Sequence, residues 1–152
     1  MDRRELLALG GVAAVLGGAK ALAQNGSAAV EARVIRIYST ADGESHIEDL
    51  VLAEDVGPVD ITQMTAGVYA GSGARAPDWH TAPRKQFAIN MTGELEVEIT
   101  NGTRSKIGAG DLVFLEDLIG KGHVTRALGP ITNLFLHVPE DFDVVAWSRG
   151  TS

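Results

Sequence analysis

Phe87-Ala-Ile-Asn-Met-Thr-Gly93-Glu-Leu-Glu-Val-Glu-Ile99 decides the fold class. Before Gly93, Phe87, Ile89 and Met91 alternate with Ala88, Asn90 and Thr92; after it, Leu95, Val97 and Ile99 alternate with Glu94, Glu96 and Glu98. A period of two places successive side chains on opposite faces of a strand, so both halves are expected to be β-strands with one apolar face. The three glutamates fit a solvated outer face. Asn101-Gly102 follows at once. That dipeptide suits a two-residue type I′ hairpin, whose central positions both need positive φ.

Working outward, the same grammar repeats. Arg33 to Ser39 is β-branched and aromatic, and Asp42-Gly43 marks a turn. His46 to Leu52 and Ile61 to Tyr69 are further strand candidates, and Gly71 to Pro77 is a loop. Beyond the hairpin, Gly108-Ala-Gly110-Asp111 makes a tight turn into the apolar run Leu112 to Leu115. His123 to Leu128, Asn133 to Val138 and Asp143 to Trp147 complete the set of expected strands. Eighteen glycines and few helix-period stretches after residue 30 point to an all-β domain. Strands this short, joined by glycine turns, favour a closed barrel or jelly roll that leaves few exposed edges.

Composition narrows the function classes. The 152 residues suffice for one ordinary domain. Aromatics are only 5%, so Val, Ile, Leu and Ala must carry the core. A net charge of −7 argues against a nucleic-acid groove, which needs clustered Lys and Arg. With no cysteine, disulfide and thiolate chemistry are excluded. No G-x-S-x-G, H-E-x-x-H or phosphate-loop pattern occurs.

The N-terminus reads as a targeting segment. Arg3-Arg4 precede an apolar Gly/Ala/Leu/Val run from Ala8 to Ala19, and Ala21-Leu22-Ala23 fits the small-x-small rule for signal peptidase. The paired arginines resemble a bacterial twin-arginine signal. The apolar run is shorter than the ~20 residues that span a bilayer. The expected organisation is a signal peptide over 1–23, a loose arm over 24–32 and a β-barrel domain over 33–152. The product would be periplasmic or secreted, with no membrane insertion after cleavage.

Two stretches carry the candidate chemistry. The first is Asp78-Trp-His80-Thr-Ala-Pro-Arg84-Lys-Gln86, followed six residues later by Gly93. The second opens at Gly110-Asp111, runs through the apolar strand and ends at Gly120-Lys-Gly122-His123. In order, and joined by an alternating hairpin, they resemble the paired motifs of the cupin superfamily, over about residues 60–140. The resemblance implies a jelly-roll (double-stranded β-helix) barrel with a pocket inside it. Family members with full motifs use three histidines and a glutamate to bind Fe, Mn, Ni, Cu or Zn. Matched by position, this chain offers Asp78 for the first histidine, His80 for the second, Gln86 for the glutamate and His123 for the third.

Two readings of that set stand side by side. Asp78 supplying the anionic oxygen would complete a two-His–one-carboxylate triad with open positions for substrate or O₂. Gln86 as a neutral, weak ligand would instead leave a metal-free polar pocket. The expected pocket comprises Asp78, Trp79, His80, Arg84, Gln86 and His123, with metal on His80, Gln86, His123 and Asp78 if one is held. Trp79 fits the pocket mouth or packing at the rim. Arg84 offers a bidentate fork for a substrate carboxylate; Lys85 is its lesser neighbour. His123 is either bonded to Gln86 or Asp117 or, with His80, a general acid or base. Glu116 and Asp117 form a lip after the apolar strand, His137 is structural or pocket-lining, and His46 sits exposed near a turn.

The function expected is therefore an exported single-domain binding protein for a small molecule. The alternatives are a metal-dependent oxygenase, an isomerase or lyase acting on a small organic acid, and an oligomeric structural protein. A homodimer is the expected assembly.

Overall fold

The computed structural model describes residues 31–70 and 78–151. The expected signal peptide, the arm up to residue 30 and the loop 71–77 lie outside the described residues. Contacts gather the described residues from Glu31 onward into one compact unit.

Nine strands and one short helix follow in order: β1 (Arg33–Ser39), β2 (Ser45–Val51), β3 (Gln63–Tyr69), β4 (Gln86–Thr92), β5 (Leu95–Glu98), β6 (Arg104–Ile107), β7 (Leu112–Glu116), β8 (Val124–Ala127), β9 (Ile131–His137) and α1 (Val144–Ser148). They form a six-stranded sheet, ordered β2-β1-β7-β4-β9-β3, and a three-stranded sheet, ordered β6-β5-β8. Pairing is antiparallel throughout except between β1 and β7. Consecutive strands β4 and β5 lie in different sheets, as do β6 and β7, and β8 and β9. The chain thus shuttles between two layers, and the fold is an all-β jelly roll. Among the described residues no helix is long and apolar enough to cross a membrane.

The six-stranded sheet has a core on each face. Inward, Ile35, Ile37, Val113 and Leu115 pack with Leu95, Val97, Ile99 and Ile107 from the small sheet's side. Outward, Val34, Phe87 and Phe114 pack beneath Val138, Val144 and Trp147. Phe87 meets Phe114 edge-on at 4.8 Å and Trp147 at 5.6 Å, the geometry that aromatic quadrupoles favour. The indole N–H of Trp147 donates to the Gly57 carbonyl at 2.8 Å, so burial leaves it partnered.

Beside this outer core, on the same face, Arg36 donates to Glu48 at 2.6 Å and to Glu116, and its guanidinium lies 4.1 Å over the Tyr38 ring. Burial works against its charge, but the bonds to Glu48 and Glu116 outweigh that and hold its pKa above the ordinary value.

Several local expectations need correction. Asp143 to Trp147 is not a strand. The Asp143 carboxylate accepts from the N–H groups of Val145 and Ala146 at 2.9 and 3.0 Å and so caps α1. Val144 and Trp147, three apart, then share the face buried on the sheet, which overrides the strand preference of two valines. The β5–β6 turn is also longer than a two-residue hairpin. Ile99 and Thr103 close it (N···O 3.0 Å), Gly102 N–H donates back to the Ile99 carbonyl at 2.9 Å, and Gly102 has φ +83. Thr100-Asn101-Gly102 is thus a three-residue loop with glycine in the left-handed position. Asn101 contributes its side chain, accepting from Thr103 N–H at 2.9 Å.

The glutamates of β5 are an ion-pair lattice rather than a bare solvated face. Lys106 reaches Glu94 at 2.9 Å, Arg126 reaches Glu98 at 2.6 Å and Arg104 reaches Glu98 at 3.2 Å. Arg126 holds the Glu98 carboxyl below its ordinary pKa. His46 is half-buried, stacked on Tyr38 at 5.2 Å and 3.2 Å from the Thr40 hydroxyl.

Candidate functional site: a polar-ended cavity between the sheets

A cavity of about 450 Å³ lies between the inner faces of the two sheets. Strands β4 and β9 build one wall in three registered tiers: Gln86 opposite His137, Ala88 opposite Phe135, and Asn90 opposite Asn133. Ile37, Val113 and Leu115 extend this wall; Leu95, Val97, Ile107 and Thr125 form the other, and Thr65 adds to the lining from edge strand β3. The segment entering β4 contributes His80, Ala82, Pro83 and Arg84, and the segment entering β8 contributes His123.

His80 and His123 are joined through their backbones. Each N–H donates to the other's carbonyl, at 3.0 and 2.8 Å, and the two rings lie 4.6 Å apart. Gly122 makes this crossing feasible. It has φ +74, and a Cβ there would stand 2.0 Å from the His80 carbonyl oxygen. Ser45, itself buried, donates to the Gly122 carbonyl at 2.8 Å and fixes the loop from the opposite side.

The ring orientations follow from their partners. His80 Nδ1 is 3.0 Å from the Asp78 carbonyl oxygen, which can only accept, so Nδ1 donates and Nε2 is left as the acceptor. His123 Nδ1 is 2.6 Å from Oδ2 of Asp117, a residue with no solvent exposure. Paired with a carboxylate, Nδ1 carries the proton and Nε2 is again the free acceptor. Of the two partners expected for His123, Gln86 and Asp117, it is Asp117 that bonds it. His137 Nδ1 is 3.5 Å from Arg84 Nη1, and because a guanidinium only donates, His137 presents its Nε2–H.

The sequence-derived site residues divide accordingly. His80, Arg84, Gln86 and His123 line the cavity, whereas Asp78 and Trp79 do not. Asp78 serves through its backbone carbonyl, and its side chain is not part of the lining. Trp79 is half-buried under Lys121, whose Nζ lies 3.8 Å from the ring centroid. Lys85 turns away, donating to the Phe142 carbonyl at 2.8 Å.

Asn90, Asn133, Thr65 and Thr125 line the cavity without having been picked out in the sequence. The signal for Asn90 was its place two and four residues along from Ala88 and Gln86, on one strand face.

The donor set falls short of the metal site of the cupin motifs. Among the described residues no three His, Cys, Asp or Glu side chains converge. Two imidazoles and the neutral Gln86 amide remain, and Asp78 does not complete the two-His–one-carboxylate triad. Structural and catalytic metal sites ordinarily draw on at least three protein ligands, so these residues do not fit a resident metal of that type.

No protein-family model matches the chain, and no curated protein matches it. Among solved structures it is similar to protein NMB1881 from Neisseria meningitidis, at 13% identity and a TM-score of 0.36, covering 57% of this chain and 89% of that one. It is also similar to a protein provisionally assigned as ethanolamine utilization protein Q of Salmonella typhimurium LT2, at 13% identity and a TM-score of 0.33, covering 74% and 99%. Likeness this distant bears on neither fold nor function; the fold rests on the strand pairing itself.

Proposed function

We propose that this chain is an exported, single-domain binding protein that takes a small organic molecule into the cavity between its sheets. One observation carries the reading: a cavity of about 450 Å³ with aliphatic walls and a few polar groups converging on it, Arg84, Gln86, His80 and His123 among them. Pockets of this size and character suit small ligands, the walls supplying area and the polar groups orientation. The ring nitrogens of both histidines are already oriented by partners outside the cavity, so a ligand finds them pre-positioned.

Filling the cavity tests this. Ala88→Phe places a ring in its middle tier and should abolish small-molecule uptake, measured by ligand-observed NMR, while the protein stays folded. Uptake unchanged in that variant would place binding elsewhere. Metal analysis after native purification belongs with it: a full equivalent of a first-row metal that His80→Ala removes would revive the oxygenase alternative.

An acid–base enzyme, an isomerase or lyase on a small acid, is the second reading, and the Asp117–His123 bond favours it. A buried carboxylate that fixes the imidazole tautomer presents Nε2 as a proton acceptor. His123→Gln should then keep ligand binding and lose turnover. Export is supported by the apolar run and Ala21-Leu22-Ala23, and its twin-arginine route by Arg3-Arg4: changing that pair to Lys-Lys should leave the precursor in the cytoplasm, and normal processing of that variant would rule out the twin-arginine route.

A further inference from the structure

The cavity's charge does not match the charge of the protein. The chain carries 20 acidic against 13 basic residues, yet no Asp or Glu lines the cavity among the described residues, and Arg84 does. Arg33, Arg36, Arg104 and Arg126 each hold a carboxylate at ion-pair distance. Arg84 and Arg149 have no such partner among the described residues; of the two, Arg84, exposed and 3.5 Å from His137, lines the cavity. A guanidinium left without an anion in a strongly acidic protein, at the edge of an aliphatic cavity, is set up to receive one from outside.

The other end of the β4–β9 wall has the opposite need. Asn90, only 2% exposed, donates its Nδ2 to the carbonyls of Gly93 at 2.9 Å and Ile107 at 3.4 Å. Those two acceptors fix the amide, because a flip would set its oxygen against them. Its Oδ1 is thereby turned free, and it is buried without a hydrogen-bond partner. Oδ1 of Asn133, directly opposite in register, is likewise buried without a hydrogen-bond partner, but no such bonds fix its amide. The fixed acceptor of Asn90 is costly unless a donor reaches it. Between the two ends stands the apolar tier of Ala88 and Phe135. From Gln86 to Asn90 is four residues of strand, about 13 Å at the usual rise.

We infer that the ligand is a small hydroxy-carboxylic acid with an apolar middle. This rests on the cavity reading above and gives it a chemical class. The carboxylate sits on Arg84, the apolar body crosses Ala88 and Phe135, and a hydroxyl at the far end donates its one proton to Oδ1 of Asn90, beside the Asn133 amide, which can turn its Nδ2 to the hydroxyl oxygen. A cationic amine is disfavoured at that end, since no carboxylate lines the cavity to meet its charge.

Calorimetric titration of the purified protein with three probes tests the assignment: 4-hydroxycinnamate, cinnamate without the hydroxyl, and the methyl ester of 4-hydroxycinnamate without the charge. The hydroxy acid should bind best, and both omissions should weaken it, the ester by about tenfold or more. Arg84→Gln should weaken the acid by a similar factor and leave the ester unchanged. Asn133→Ala should erase the preference for hydroxycinnamate over cinnamate. Equal binding of acid and ester, or indifference of the acid to Arg84→Gln, overturns the inference while leaving the cavity reading intact. Failure of all three probes to bind also overturns the inference, whereas the cavity reading falls only if small-molecule uptake is unchanged in Ala88→Phe.

Discussion

The two faces of the six-stranded sheet are built to opposite specifications. Its outer face carries an aromatic cluster, with Phe114 fully buried between Phe87 and Phe142 and the whole roofed by Trp147. Its inner face carries a cavity of about 450 Å³ and three buried polar side chains, Gln86, Asn90 and His137. Strand β4 serves both, sending Phe87 outward and Gln86, Ala88 and Asn90 inward. Close-packed aromatics bring area burial and ring contacts; a hollow lined with amides forgoes that area and leaves acceptors unpaired. Both faces therefore bury an apolar core, but the outer one is closed by aromatic rings while the inner one keeps a hollow beside its aliphatic side chains.

The largest test of that division is Phe114→Ala. Truncating a buried aromatic costs about 3–5 kcal/mol, and chemical denaturation should show a loss of that order. A loss below about 1 kcal/mol would mean the outer cluster contributes little to stability. Next comes Asp117→Asn, on the inner side. It weakens a buried hydrogen bond to a charged group and should cost about 2 kcal/mol. Nitrogen NMR of His123 should at the same time show loss of its single fixed tautomer, which a merely structural change would not produce.

Asp143→Ala should cost about 1 kcal/mol by uncapping α1, the element that closes the outer cluster. Its carboxyl is held below the ordinary range by the N–H groups of Ala146 and Val145. A lowered pKa contributes stability that is present above the unfolded value, about 3.9, and lost as pH falls through the folded one. The variant should therefore lose less stability on acidification below pH 4 than the parent does. The smallest effect belongs to the lattice on the small sheet: Lys106→Ala, at an exposed pair, should leave the unfolding midpoint unchanged, and salt should not alter that result.

What the sequence disclosed, and what it concealed, follows the same division. The strands with strong β-branched or alternating patterns were legible, Arg33–Ser39 to the residue. So were His80, Arg84, Gln86 and His123 as cavity residues. Asn90 and Asn133 were not, because alternation in a one-sided strand means apolar inside and polar outside. Across β4 that rule inverts: Ala88 and Asn90 face the hollow, while Met91 is half exposed. A strand with a packed core on one side and a cavity on the other has two interiors, and composition alone does not say which is which. Asp78 failed differently. Spacing places a residue beside a site but does not tell whether it will serve with its carboxylate or, as here, with its backbone oxygen. The helix at Val144–Ser148 was hidden because its cap and its packing, not its propensity, decide it.

The chain has two tryptophans, and the fold has put one in each territory. Trp147 is roofing the aromatic cluster, 7% exposed, with its indole proton held by Gly57. Trp79 adjoins His80, half-buried beneath an ammonium group. Their fluorescence is consequently a two-channel reporter: emission from Trp147 follows global unfolding, and emission from Trp79 follows events at the histidine crossing. Replacing either with phenylalanine would isolate the other channel, so changes at the histidine crossing and unfolding can be watched separately in one unlabelled protein.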